Sequence, residues 1–320
     1  DFDMGFIGFN RYYNSLKTTR TKQIGSRWTH TLDSRIALEF GDYSVSGSVV
    51  TLQRGDGSST FFTRSATGLW ASAVVVSDSL KDVRDSSGAL VGWRYSPAKS
   101  NLVYEYDAGG RITAILSVTS IDRIAVSYAS NQQSNQDLYN RISSVTDSRA
   151  GQYLFAYGAD GQISSITTAD GKFFSYTYDS ISRLTRVTYP GGLFRDYVYA
   201  EVSHSPSGTP TNLTGILDES GVRFATFRYG DDDFPVSTEH AGADKFTIDY
   251  DYLYYNRVKI QRPTGSLQER TFASVNGINK AVSIVTTCNG CATKTESFTF
   301  DTNGNLDQYT NAAGIITDYD

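Results

Sequence analysis

Two cysteines bracket an Asn-Gly pair at Cys288-Asn289-Gly290-Cys291. At that spacing they could cycle between dithiol and disulfide, or supply half of a zinc site. Zinc needs two further ligands, and His30, His204 and His240 are all distant in sequence. An Asn-Gly hairpin with a cysteine on each side would set the Cα atoms about 5.5 Å apart, within reach of a disulfide. The structural reading, a Cys288–Cys291 pin or two free thiols on a hairpin, is preferred over redox or metal chemistry.

Other constellations read more simply as turns. Asp301-Thr302-Asn303-Gly304-Asn305-Leu306-Asp307 has the look of a calcium loop, but an EF-hand would need Gly where Leu306 stands and Glu where Ala312 stands. Asp231-Asp232-Asp233 could attract a cation, yet it falls on a turn before Pro235 and reads as a solvated acidic turn. Gly55-Asp56-Gly57-Ser58-Ser59-Thr60 lacks the third glycine of a dinucleotide fingerprint. No Gly-x-Ser-x-Gly elbow occurs. The expectation is a non-enzyme with no cofactor and no resident metal.

The elements that would carry these residues repeat. Arg111-Ile112-Thr113, Arg141-Ile142-Ser143, Gln162-Ile163-Ser164, Arg183-Leu184-Thr185 and Asn305-Leu306-Asp307 are variants of one phrase. Aromatic pairs two residues apart precede most copies: Tyr104/Tyr106, Phe155/Tyr157, Tyr176/Tyr178 and Phe298/Phe300. Alternation of rings and hydroxyls in Phe174-Ser175-Tyr176-Thr177-Tyr178 is the period-2 signature of a strand. Turn signals at Asp160-Gly161, Asp170-Gly171, Ile181-Ser182 and Gly191-Gly192 recur about every ten residues, and Asp-Gly favours a two-residue type I′ turn. Two beats make one strand–turn–strand–turn unit of roughly twenty residues. Tyr106 and Tyr157 lie 51 residues apart, as do Tyr178 and Tyr229, leaving room for two units and an insertion. The insertions are expected as an exposed loop at Asn131-Gln132-Gln133-Ser134-Asn135-Gln136 and a second at 203–210, where two prolines forbid a central strand.

Composition agrees with strand: 22 Tyr and 17 Phe against 6 Pro, with 28 Gly available for turns. A formal net charge of −5 provides no basic stripe for nucleic acid. Apolar runs such as Ala73-Val74-Val75-Val76 are far shorter than the ~20 residues of a membrane helix. Residues 1–100 lack the aromatic-pair unit, although turns at Asp56-Gly57 and Ser87-Gly88 and strands at 49–52 and 61–63 are expected there. Arg11-Tyr12-Tyr13-Asn14-Ser15 and Trp28-Thr29-His30 mark a distinct leading segment. Two regions follow: 1–100, β-rich and preceding the repeats, and 101–320, the repeats themselves, continuous with it. The aromatic ladders are expected as wall packing in preference to sugar-stacking platforms. The arginines Arg111, Arg141 and Arg183 are expected to pair with carboxylates of adjacent units, such as Asp107 or Asp179.

The fullest unit, Tyr106-Asp107-Ala108-Gly109-Gly110-Arg111-Ile112, resembles the YD-repeat, or Rhs-repeat, family. Tyr178-Asp179-Ser180-Ile181-Ser182-Arg183-Leu184 keeps all but the glycine, and Phe300-Asp301-Thr302-Asn303-Gly304-Asn305-Leu306 exchanges Tyr and Arg. Tyr157 with Gly161, and Tyr229, hold further copies in register. The leading segment is similar to the stretch that precedes the repeats in bacterial Rhs proteins. The resemblance implies an all-β fold: a continuous antiparallel sheet of repeated hairpins winding as a spiral shell, of which this chain is a strip. It implies a non-catalytic wall segment that encloses a C-terminal toxic cargo for delivery into competitor or host cells. Its partners would be that cargo, the remaining shell repeats and secretion-apparatus proteins, and its location secreted, delivered from a bacterial cell, or at the cell surface. Open sheet edges favour self-association. The family's Asp-Pro cleavage motif has no counterpart, because no Asp-Pro dipeptide occurs. Two alternatives stand beside this reading: a cell-surface adhesion or glycan-binding repeat protein by function, and a β-propeller by fold.

Overall fold

The computed structural model describes residues 1–16, 23–72, 77–98, 100–129, 141–149, 151–240, 242, 244–250 and 256–319. The expected loop at 131–136 and the apolar run at 73–76 lie outside them. Among the described residues every regular element is a strand. Two short hairpins lead, Phe2–Met4 with Ile7–Phe9 and Arg11–Tyr13 with Trp28–His30. From Arg35–Phe40 to Ile316–Asp318 the strands form one long antiparallel sheet of 25, not closed into a barrel. Neighbours in sequence are neighbours in the sheet, as a β-meander requires. A propeller would break this order into separate four-stranded blades, so that alternative is set aside.

The turns differ from the type I′ expectation. In the Asp107–Arg111 turn the Asp107 N–H donates to Arg111 O (2.9 Å) and the Gly110 N–H donates to Asp107 O (2.9 Å). The same pair of bonds recurs from Gly158 to Gln162, Asp179 to Arg183 and Asp301 to Asn305. Only the fourth residue has a positive φ: Gly110 at 78°, Gly161 at 80°, Gly304 at 82° and Ser182 at 67°. This is a type I turn followed by a left-handed residue, the three-residue hairpin loop with a glycine bulge. The Asp of an Asp-Gly pair is therefore not held at positive φ. In the turns that end at Gly88, Gly110, Ser182, Gly221 and Gly304, an Asp three positions earlier caps the turn.

The chain divides into two compact units, residues 1–195 and 196–320. The sequence division near residue 100 is not a break in the sheet, since Leu90–Ser96 pairs with Leu102–Asp107 across it. In the first unit the ring face is buried. Trp93 and Tyr95 are 1% and 2% exposed, and Ile112, Ile115, Ile124, Val145, Ile163, Ile166, Leu184 and Val187 are sealed from solvent. Trp93-Arg94-Tyr95 is thus an aromatic pair within the first hundred residues, where none was expected; its ring faces the core as the later pairs do.

What covers this face is the leading segment. Phe2 stacks on Phe9 and Tyr153 and lies 4.9 Å from Phe174, while Phe9 meets Phe155 and His30. Met4, Phe9 and Ile24 are fully buried. Backbone bonds tie the segment down: Ile163 N–H to Gln23 O (2.7 Å) and Ser26 N–H to Ser182 O (2.7 Å). The Tyr176 hydroxyl donates to the Asp1 carboxylate, itself held in a bidentate pair by Arg11. A two-faced sheet with large rings on one side needs such a cover to remove them from water.

The sheet of the first unit also curls onto itself. Its first strand meets the Asp107–Arg111 turn through a single antiparallel bridge, Arg35 to Arg111, and through Ile36 N–H to Gly110 O (2.9 Å). In the second unit the sheet continues with longer strands, Leu267–Val275 and Ile278–Thr287. Its rings are less enclosed: Tyr197, Leu213, Ala225 and Tyr229 are its buried apolar side chains among the described residues.

Candidate functional site

The repeated turn and its connection to the next hairpin form a recurring site whose chemistry is hydrogen bonding. Asp comes first. Asp179 Oδ1 accepts from the N–H groups of Ile181 (3.1 Å) and Arg183 (2.9 Å), and Asp107 Oδ1 accepts from Arg111 N–H (2.9 Å). Asp85, Asp218 and Asp301 repeat the contact, and Asn311 does so with an amide oxygen. A short acceptor at this position satisfies turn N–H groups that no strand partner reaches, which is why Asp follows the tyrosine. Hydrogen bonds from the Arg183 backbone and side chain hold the Asp179 carboxyl below its usual range, against the opposing effect of burial.

Arg closes the turn. Arg111 Nε donates to Asp107 Oδ2 (2.7 Å), and Arg183 Nε to Asp179 Oδ2 (2.6 Å). The expected partner was a carboxylate of an adjacent unit. The Asp four residues back, in the same turn, takes the guanidinium in both copies. Toward the next hairpin, Arg111 instead lies 4.6 Å over the Tyr128 ring and Arg141 lies 5.5 Å over Tyr157. A planar cation suits both contacts at once.

Tyr completes the lock. Opposite each motif tyrosine the ladder skips a residue: Tyr106 pairs with Ile112, Tyr157 with Ile163, Tyr178 with Leu184 and Tyr229 with Pro235. The bulge leaves carbonyls unpaired by the ladder. The Tyr178 hydroxyl donates to Ile163 O (2.8 Å), Tyr128 to Ile112 O (2.8 Å), Tyr229 to Leu213 O (3.0 Å) and Tyr250 to Pro235 O (3.1 Å). Each hydroxyl thereby caps the bulge of the hairpin before its own. Tyr106 bonds Ser34 Oγ of the leading segment instead (2.8 Å). Burial pushes the Tyr106, Tyr128 and Tyr157 phenols up, so they remain donors at neutral pH. In two copies the Thr after the Leu bonds the neighbouring strand: Thr185 Oγ1 donates to Thr177 O (3.0 Å) and Thr214 Oγ1 to Val198 O (3.2 Å).

Sequence reasoning missed Tyr128 and Tyr250, because neither is followed by a readable Asp-x-x-Gly. Their spacing of about fifteen residues from the preceding Ile/Pro bulge was the available signal.

The remaining candidates fall elsewhere. Cys288 and Cys291 are joined as a disulfide with Cα atoms 5.4 Å apart. The ladder ends before them at Thr286 and Lys294, so they sit on an exposed connection and not on a tight two-residue hairpin. Asp301 serves its own turn, accepting from Asn305 N–H (2.7 Å) and Asn305 Nδ2 (3.2 Å). Asp233 does more than face solvent. It accepts from Ser207 Oγ (2.5 Å), Thr209 Oγ1 (2.7 Å) and Asn212 Nδ2 (2.8 Å), pinning the 203–210 loop. His30 is fully buried in the leading segment, its Nδ1 accepting from Leu32 N–H (3.3 Å).

The family profile described as RHS Repeat matches residues 157–193. No curated protein matches the chain. Among solved structures, the chain is similar to a crystal structure of TcdB2-TccC3-TEV at 12% identity and a TM-score of 0.43, over 91% of this chain and 17% of that one. It is similar to a Photorhabdus luminescens Tc holotoxin pore containing a TccC3 mutant at 11% identity and 0.33, over 85% and 19%. A porin-like protein from Bacteroides uniformis matches at 14% and 0.22, over 76% and 92%. The chain spans less than a fifth of the length of those two Tc toxin chains. The stretch that matches the RHS Repeat profile runs from the Tyr157 bulge through the Asp179–Arg183 turn.

Proposed function

We propose that this chain is a stretch of containment wall in a longer toxin-associated polypeptide, and that the residues of its repeated motif perform no reaction. The wall would enclose a C-terminal toxic cargo and be delivered with it out of a bacterial cell, the rest of the shell being its partner within the same polypeptide. The observation that carries this reading is the interlocked turn. Asp107, Arg111, Asp179 and Arg183 tie their own turns, and Tyr128, Tyr178, Tyr229 and Tyr250 tie each hairpin to the one before it. A meander built this way extends without limit and presents no long free edge except at its ends. The adhesion reading would use the rings that stand outside the core, such as Phe61 and Phe173, whereas the ring-face Tyr95 and Tyr106 are 2% and 3% exposed.

The test is protease protection of the natural gene's full product. Under this reading the sequence following the repeats resists a protease that cuts it readily when expressed alone, and becomes sensitive once denaturant opens the sheet. Equal digestion rates in the two settings would exclude containment.

A further inference from the structure

The wall's lock uses neither cysteine, and the position of the pair gives it a different capacity. The last ladder pairs before the connection are Val285 with Thr295 and Thr286 with Lys294. Residues 288–295 are all exposed, and the space beside Gly290 is open. Within the turn, the Cys291 N–H donates to Cys288 O at a long 3.4 Å. The disulfide therefore closes a ring of four residues outside the sheet. A loop that short removes little entropy from the unfolded chain, less than a bridge between distant strands would. Both cysteines are exposed, outside the paired strands.

We propose that Cys288–Cys291 is a thiol–disulfide exchange site whose substrates are low-molecular-weight monothiols. A thiolate attacks one sulfur in line with the S–S bond. That bond breaks, its electron pair leaves on the second cysteine sulfur, which takes a proton, and a mixed disulfide remains on the first. A second monothiol attacks the mixed disulfide from the small-molecule side, releasing the oxidised small disulfide and the second protein thiol. Two electrons and two protons have then passed from two monothiols to the pair. Exposure and access govern such exchange, and this connection supplies both. The strands Ile278–Thr287 and Lys294–Phe300 stay paired throughout, so the tip records the redox state of its surroundings while the sheet persists.

The experiment uses the intact chain in buffers of millimolar reduced and oxidised glutathione at graded ratios. Free thiols are trapped by alkylation and counted by mass spectrometry, with far-UV circular dichroism and thermal unfolding in parallel. The expected result is full, reversible conversion to the dithiol within minutes, unchanged dichroism, and a thermal midpoint within a few degrees of the oxidised form. Cys291→Ser should trap a glutathione mixed disulfide on Cys288 in the folded protein. Persistence of the disulfide in millimolar reduced glutathione until denaturant is added would overturn the proposal. So would loss of the sheet signal on reduction, or failure of Cys291→Ser to form the mixed disulfide while folded.

Discussion

At the scale of single residues, the Tyr-Asp motif is a set of caps for backbone groups that a bulged hairpin leaves unpaired. Asp179→Ala removes an acceptor used by two N–H groups and the partner of Arg183. We expect a loss of about 1–2 kcal/mol in urea unfolding, the usual cost of deleting a side-chain cap. Asp179→Asn should lose clearly less, because Asn311 makes the same turn contacts with an amide oxygen. Glycine carries two different requirements. A Cβ on Gly110 would lie 1.8 Å from Ile36 O, the point where the first strand of the sheet returns. A Cβ on Gly171 would meet nothing within 4 Å, leaving only its φ of 80°. Gly171→Ala should therefore cost about 1 kcal/mol, and Gly110→Ala several times that, by the same unfolding measurement. The Asp, Gly and Tyr positions were legible in sequence because each recurs. The partner of the arginine was not, because a ring in the next hairpin is found only once the bulge has set the register.

At the scale of elements, the strands and their ring-in, hydroxyl-out alternation were readable from period alone. The hairpin loops were misread as type I′ because the Asp-Gly pair draws attention to itself, while the determining residue lies further back. The leading segment was recognised as distinct, but its place on the ring face rests on long-range contacts of Phe2, Met4 and Phe9 that no local pattern encodes. Its burial makes a pH prediction. Desolvation pushes the His30 imidazole down to about 3 from its free value of 6.5. Between those values the unfolded chain binds a proton that the folded chain refuses, so this contribution to stability is whole above about pH 6.5 and is lost as pH falls toward 3. The thermal midpoint should decline from pH 6.5 to 5, a window above the titration of the depressed carboxylates Asp179, Glu105 and Glu201. His30→Gln should flatten that decline. An unchanged slope in the variant would show that the buried imidazole does not set it.

At the scale of the molecule, the central claim is that many copies of one turn make one continuous wall. Locking each hairpin to the one before distributes stability along the sheet, as nearest-neighbour coupling does in other repeat proteins. The aromatic pairs add roughly 0.5–1.5 kcal/mol each beyond the area they bury, so no single pair decides the fold. The repeat, and with it the continuous antiparallel sheet, was legible in the sequence. The division into two compact units at residue 195 was not, because it falls inside the strand Phe194–Tyr199, where no turn signal marks it. Electron cryomicroscopy of the natural gene's full product tests the claim most directly. The account predicts a hollow particle bounded by a single winding sheet, with these residues in its wall and separate density inside. A bladed disc, a solid particle, or an empty rod without enclosed density would contradict it.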